Sequence, residues 1–431
     1  MRRALSLSLL LFPVSLLLVS CGSSSSSTGG GPTFRALVSQ DINAGNIIAG
    51  LQIIDAQKDV RALVPPISAG AAPGMMVETP NLTLTLAFST AGNTLALVSN
   101  SAGSSSGNVT LPGSTESIVV SPDSVTAYAA VPTASPGLGQ PQGVVEVISL
   151  SSGTMTAQLA VPAARYVSIS NSGSRVLAFA NSPDSNVGAC ANQVTCLFVI
   201  TPSNIGTQTN PVVAVPGFDH PVAAFFSTDD NTAFVINCGA ECGGGQASVQ
   251  TLDMTTNTPG AAVPVPAATV ALVNGTTMYL AGTPVPASPC TGQTTQATSC
   301  GLLTVFDLPS MTVTNSSAIV ITDGYHKRIA LGADGQLFVG SNACTEIIPP
   351  NPPPQGAEVR GCLSIYNTQT GAVVIPPANG DVTGIQPIAN RHVVYLIQGG
   401  ELQMYDTTID KLQPTQINII GQAMDVKTID Q

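Results

Sequence analysis

The residues best suited to chemistry gather in one short run, Asp323-Gly-Tyr-His-Lys-Arg328, which holds one of the chain's three histidines. Such a mixture suits an anionic or saccharide group. Tyr325 can stack on a ring, and Arg328 can grip an oxyanion with a forked pair of hydrogen bonds, with His326 and Lys327 beside it. The plainer alternative has Tyr325 covering an edge and the basic pair pointing to solvent. Asp219-His220 sets an acid beside a base, the pairing of a general base and its orienter. Adjacent residues on an extended chain point to opposite sides, so the spacing predicts a loop histidine that caps backbone groups. His392, next to Arg391 at the start of an apolar run, reads as structural. Glu116, Arg165, Asp381 and Asp425 complete the polar residues in connections of the same type. No P-loop, His-Glu-x-x-His or dinucleotide fingerprint occurs, and no catalytic residue, metal or cofactor is expected.

The chain has nine cysteines, and the eight beyond Cys21 could pair in about 105 ways. Their positions suggest one pattern: Cys190 with Cys196, Cys238 with Cys242, Cys290 with Cys300, and Cys344 with Cys362. Each pair flanks the connection between two neighbouring antiparallel strands, where loop ends come within disulfide reach. Cys238-Gly-Ala-Glu-Cys242 also has ligand-like spacing, but no second pair or histidine lies nearby, so disulfides are the expectation over a metal site. Pro349-Pro-Asn-Pro-Pro-Pro354, inside the Cys344–Cys362 loop, reads as a stiff excursion.

The elements that must position these residues repeat. From about Phe34 onward, an apolar strand leads to a turn rich in Asp, Gly or Asn. A second strand and a variable loop follow, then a third strand closed by Asp or Asn, then a fourth. Copies run over Glu116–Pro162, Ala164–Pro216, Val222–Pro266, Thr269–Thr322 and Lys327–Pro377. One four-stranded unit cannot bury both its faces alone, so an all-strand repeat of roughly 50 residues predicts a single all-β domain, a β-propeller. Second strands are expected at Phe34–Ser39, Leu82–Phe88, Thr126–Val131, Arg175–Ala180, Thr232–Asn237, Thr277–Ala281, Gln336–Gly340 and His392–Ile397, giving eight four-stranded blades. Seven is the alternative, because the second repeat, Pro73–Pro112, is compact. Met424–Ile429 is expected to complete the first blade and close the ring. Strand alternation puts the connections from second to third strand, and from fourth strand to the next blade, on one face. The disulfide loops and the candidate site residues therefore share one side of the disc.

Ser117-Ile-Val-Val-Ser-Pro-Asp123 with Ala127-Tyr128, then Val144–Ile148, and Leu302-Leu-Thr-Val-Phe-Asp307 follow the rhythm of the YVTN/YncE-like propeller family. The chain resembles that family over nearly its whole length beyond the N-terminal segment. The resemblance implies a propeller, and the family's lactonase-like members make hydrolysis at the central channel the alternative activity. The Cys-closed loops and altered Tyr-Val positions depart from the family pattern.

Met1-Arg2-Arg3 followed by the apolar run Leu5–Val19 reads as a signal peptide over residues 1–20. Leu18-Val19-Ser20-Cys21 resembles a bacterial lipobox, with Cys21 the lipidated residue and 21–33 a Ser/Gly tether before a propeller over 34–431. The expected location is the cell envelope, at the outer membrane, on its periplasmic or surface side. Lys and Arg total 13 against 24 Asp and Glu, a net charge of −11, which excludes a nucleic-acid surface. Only 9% of residues are charged. Acid–base chemistry needs positioned carboxylates or histidines, so the expected function is a non-catalytic, monomeric envelope module that binds a protein, peptide or glycan.

Overall fold

The structure, a computed structural model, describes residues 32–41, 50–180, 196–286, 299–347, 360–376 and 380–430. Cys21, Cys190, Cys290 and the proline run 349–354 lie outside the described residues. The rest form eight antiparallel sheets arranged as the blades of a propeller. The sixth sheet has a fifth strand because its outer edge is split, with Thr312–Val313 and Ile319–Ile321 both pairing with Gly301–Asp307. The compact second repeat is a full blade, Pro73–Thr110, so the count is eight and not seven.

Burial explains the sequence of each blade. Second and third strands lie between neighbours and are the most buried, and in the fourth blade they read as unbroken apolar runs: Val176–Ala180 and Cys196–Ile200 are buried at every position. Fourth strands face solvent, and Thr154–Ala160 keeps only Leu159 buried. Blades stack face to face through shared apolar layers. Tyr128 and Val145 of the third blade pack with Val167 and Phe198 of the fourth. The layer between the eighth blade and the first is built the same way, from Tyr395, Ile397 and Met404 against Ala36, Ile54 and Val426.

The last strand closes the ring. Gln422–Thr428 pairs with Arg35–Asp41 and becomes the innermost strand of the first blade. Arg35 clamps this closure, donating from Nε and Nη2 to both carboxylate oxygens of Asp430 at 2.7 and 2.8 Å. Arg391 holds the eighth blade to the first with a matching fork on Asp59, both bonds 2.7 Å.

The turns from first to second strand use one recurring device. A hydroxyl begins the turn, an Asx side chain sits two residues on, and the next residue is left-handed. Ser121 with Asp123 and Ser124 (φ 61°), and Ser227 with Asp229 and Asp230 (φ 58°), are two instances. Leu82 occupies the left-handed position of a third (φ 55°), so the strand expected from Leu82 begins at Leu84.

Cys238–Cys242 and Cys344–Cys362 are disulfides. Cys196 and Cys300 are disulfide-bonded as well. The connections these bridges close lie on the face where each fourth strand passes to the next blade. Asp323, in such a passage, accepts a 2.8 Å hydrogen bond from Thr345 N, beside Cys344.

Candidate functional site

The inner strands share an irregularity at the disulfide-face end of the channel. In six blades, a residue near the start of the inner strand has no partner on the second strand, a β-bulge. Arg165, Val222, Lys327, Thr383 and Met424 are the extra residues in the fourth, fifth, seventh, eighth and first blades. Gly74-Met75 supplies the sixth, in the second blade. A bulge re-aims side chains and strengthens local twist. Repeated at one height around a ring, it turns inner-strand residues toward the axis.

The result is a cavity of about 560 Å³ at the channel mouth, lined by residues from all eight blades. Met75, Phe88, Val222, Ala271, Val382 and Met424 form its apolar wall, and Glu116, Tyr166, Tyr325, Lys327 and Arg328 bring polar groups into it. Cavities of about 300–1,000 Å³ with a few convergent polar groups are typical of small-molecule sites.

The polar groups join across the channel. Glu116 accepts from Arg165 Nη2 at 3.2 Å and, from the opposite wall, from Lys327 Nζ at 3.5 Å. Tyr166 and Tyr325 share a 3.0 Å hydroxyl–hydroxyl hydrogen bond. Each basic side chain also lies over a ring, Arg165 over Tyr166 at 5.1 Å and Lys327 over Tyr325 at 5.2 Å. Burial alone would raise the Glu116 carboxyl. The charges and hydrogen bonds of Lys327 and Arg165 outweigh it and hold the group below its usual range, as a fixed anion. Arg328 donates to Thr383 O at 2.6 Å and lies 3.9 Å from Asp425.

The structure thus brings Glu116, Arg165, Tyr325, Lys327 and Arg328 together. His326 touches the cavity but is turned away from chemistry. It is buried, its Nε2 donates to Thr322 O at 3.1 Å, and burial pushes its pKa down to about 4.

Asp219, His220 and Asp323 are placed elsewhere, beneath the disulfide loops. His220 is left-handed (φ 55°), and the local turn of the chain brings its Nδ1 within 2.9 Å of Asp219 Oδ1. The expectation that adjacent side chains diverge is therefore corrected: it assumes an extended backbone that this position does not have. The other Asp219 oxygen accepts from Gly245 N and Gln246 N at 2.8 and 2.9 Å, tying the Cys238–Cys242 loop to the blade. Asp323 meets Arg360 at 3.1 Å in a buried ion pair and accepts from Thr345 through both oxygens. Asp381 accepts from Ala343 N at 2.7 Å in the next loop. His392 bonds Asp334 at 2.8 Å on the surface.

Sequence reasoning missed Tyr166, Arg360 and the methionine and valine wall. Tyr166 carries a usable signal, since it lies beside a basic residue, Arg165, at the start of an inner strand, as Tyr325 lies two residues before Lys327 three blades on. A cluster of Cys344, Glu346 and Cys362 has metal-like proximity, but both sulfurs are spent in their disulfide.

No family model and no curated protein matches the chain. Solved structures do. The chain is similar to a dihydro-heme d1 dehydrogenase, NirN, in complex with DHE, at 10% identity over 92% of this chain and 75% of that one, TM-score 0.62. It is also similar to a functionally unknown protein from Desulfotomaculum acetoxidans, at 13% identity over 92% and 99%, TM-score 0.50. A periplasmic gluconolactonase of Pseudomonas aeruginosa aligns at 13% identity over 92% and 98%, TM-score 0.47. At these identities the likeness is one of fold, and the chain is an eight-bladed β-propeller.

Proposed function

We propose that this chain is a YncE-like propeller of the cell envelope, anchored through lipidated Cys21, that binds its ligand without transforming it, at the channel mouth on the disulfide-loop face. The observation that carries the reading is the ring of bulges, which spends backbone pairing in six blades to aim side chains into one cavity. Two features favour binding over lactonase-like hydrolysis. Glu116 is fixed as an anion by two cations, so it is a poor proton acceptor. His326 is buried and held neutral, with Nε2 committed to a backbone carbonyl. The protein, peptide or glycan that docks on this face would present a small terminal group to the cavity.

The test is ligand capture from envelope extract with the full chain, read by mass spectrometry, against a Tyr325→Phe/Lys327→Met variant of equal thermal stability. Enrichment of a compound by wild type and its loss in the variant is the expected result. Equal retention by both proteins would rule out the channel mouth as the site. A retained compound that emerges chemically altered would favour the hydrolase.

A further inference from the structure

We infer that the ligand group bound at the channel mouth is an amphipathic monocarboxylate, and that Glu116 is its internal competitor. This rests on the reading of the channel mouth as a binding site and names the chemistry that site would select.

Charge is the first ground. The chain is acidic, with a net charge of −11, yet its channel mouth is not. Arg165 and Lys327 face the single carboxylate of Glu116. Asp425 faces both Arg328 and Lys427, and Lys427 also interacts with Glu78. Among the described residues of this cluster, the four cations Arg165, Lys327, Arg328 and Lys427 outnumber the three carboxylates Glu116, Asp425 and Glu78. A monoanion neutralises the excess, whereas a polyanion meets the repulsion of the whole chain.

Geometry is the second. The position between Arg165 Nη2 and Lys327 Nζ already accepts a carboxylate, that of Glu116, at 3.2 and 3.5 Å. These contacts are longer than the roughly 2.7–2.9 Å of a tight charge-assisted bond, so a better-placed carboxylate can displace it. Glu116 is half exposed and has room to swing away.

The wall is the third. Met75 and Met424, both partly exposed in the cavity, offer an apolar surface beside the cations, and methionine adapts to irregular shapes. A head-group site beside an apolar wall selects a molecule with one acid group and an apolar body.

Titration calorimetry of the full chain at pH 7 tests this with octanoate, 1-octanol and inorganic phosphate as probes. Octanoate is expected to bind at least about ten times more tightly than either control, a difference of about 1.4 kcal/mol. Lys327→Met should erase that preference while leaving 1-octanol unchanged. Glu116→Gln should tighten octanoate several-fold, because the competitor is gone. Equal affinity for octanoate and 1-octanol, tighter binding of phosphate, or weaker octanoate binding to Glu116→Gln would each overturn the inference while leaving a channel-mouth site intact. Octanoate binding indifferent to both substitutions would place it outside the channel and count against that site as well.

Discussion

At the scale of single residues, this molecule spends its few charges on fixed tasks. Glu78, at the far end of the inner strand Pro73–Glu78, is pushed up to about 7 by burial, which outweighs the pull of Lys427 and is reinforced by Asp425. The folded pKa lies above the unfolded one, so the folded state holds its proton longer and stability falls as pH rises from about 4.5 to about 7. Glu78→Gln should therefore raise the melting temperature at pH 8 and leave it unchanged at pH 4. An equal shift at both values would mean the carboxyl is not perturbed. Gly244 makes a second residue-level case. A Cβ there would run into Asp219 Oδ1 and His220 Nδ1. Gly244→Ala should cost about 1–3 kcal/mol in urea unfolding, and no loss would show that the Asp219–His220 pair is not rigid. Lys327, Tyr325 and Glu116 were legible as candidates because charged and aromatic residues, 9% and 4% of the chain, are rare and stand out. Met75, Val222, Thr383 and Met424 were not. Nothing in an isolated strand marks which residue will lack a cross-strand partner, since that is a property of two strands together. The Asp219–His220 pair was misread for a related reason, because the left-handed conformation of His220 has no signature in its side chain.

Elements show the same division. Second strands were readable because both their faces are largely buried and their sequences are mostly apolar, and the expected ranges match to within two residues. The turns were readable because hydroxyl, Asx and left-handed residues recur in order. Arg360 escaped notice because its partners, Asp323 and Ser299, lie in other loops, 37 and 61 residues away in the chain. At this scale the ring closure makes a firm prediction. Arg35→Ala removes the fork that holds the last strand's end and should cost about 1.5–3 kcal/mol, the range for hydrogen bonds to charged groups. Arg175, whose guanidinium bonds the neighbouring Ser174 carbonyl and, among the described residues, forms no ion pair, serves as the control, and its replacement by Ala should cost less than about 0.5 kcal/mol. Comparable losses for both would show that Arg35 contributes no more than an arginine outside any ion pair.

The whole molecule is eight similar blades that differ mainly at their inner ends. Sequence periodicity predicted the disc, its closure and the face that carries the disulfides, because all three follow from strand counting and alternation. It could not predict the cavity, which arises only when six bulged inner strands meet around one axis. The channel mouth is thus a property of the closed ring, assembled from residues as far apart in sequence as Met75 and Met424. A crystal structure of the full chain grown with octanoate puts this most directly to the test. The predicted result is a carboxylate within about 3.5 Å of Lys327 Nζ and Arg165 Nη2, Glu116 swung aside, and the alkyl chain along Met75 and Met424. Octanoate bound outside the channel, with the Glu116–Lys327 and Tyr166–Tyr325 contacts unchanged across it, would contradict it.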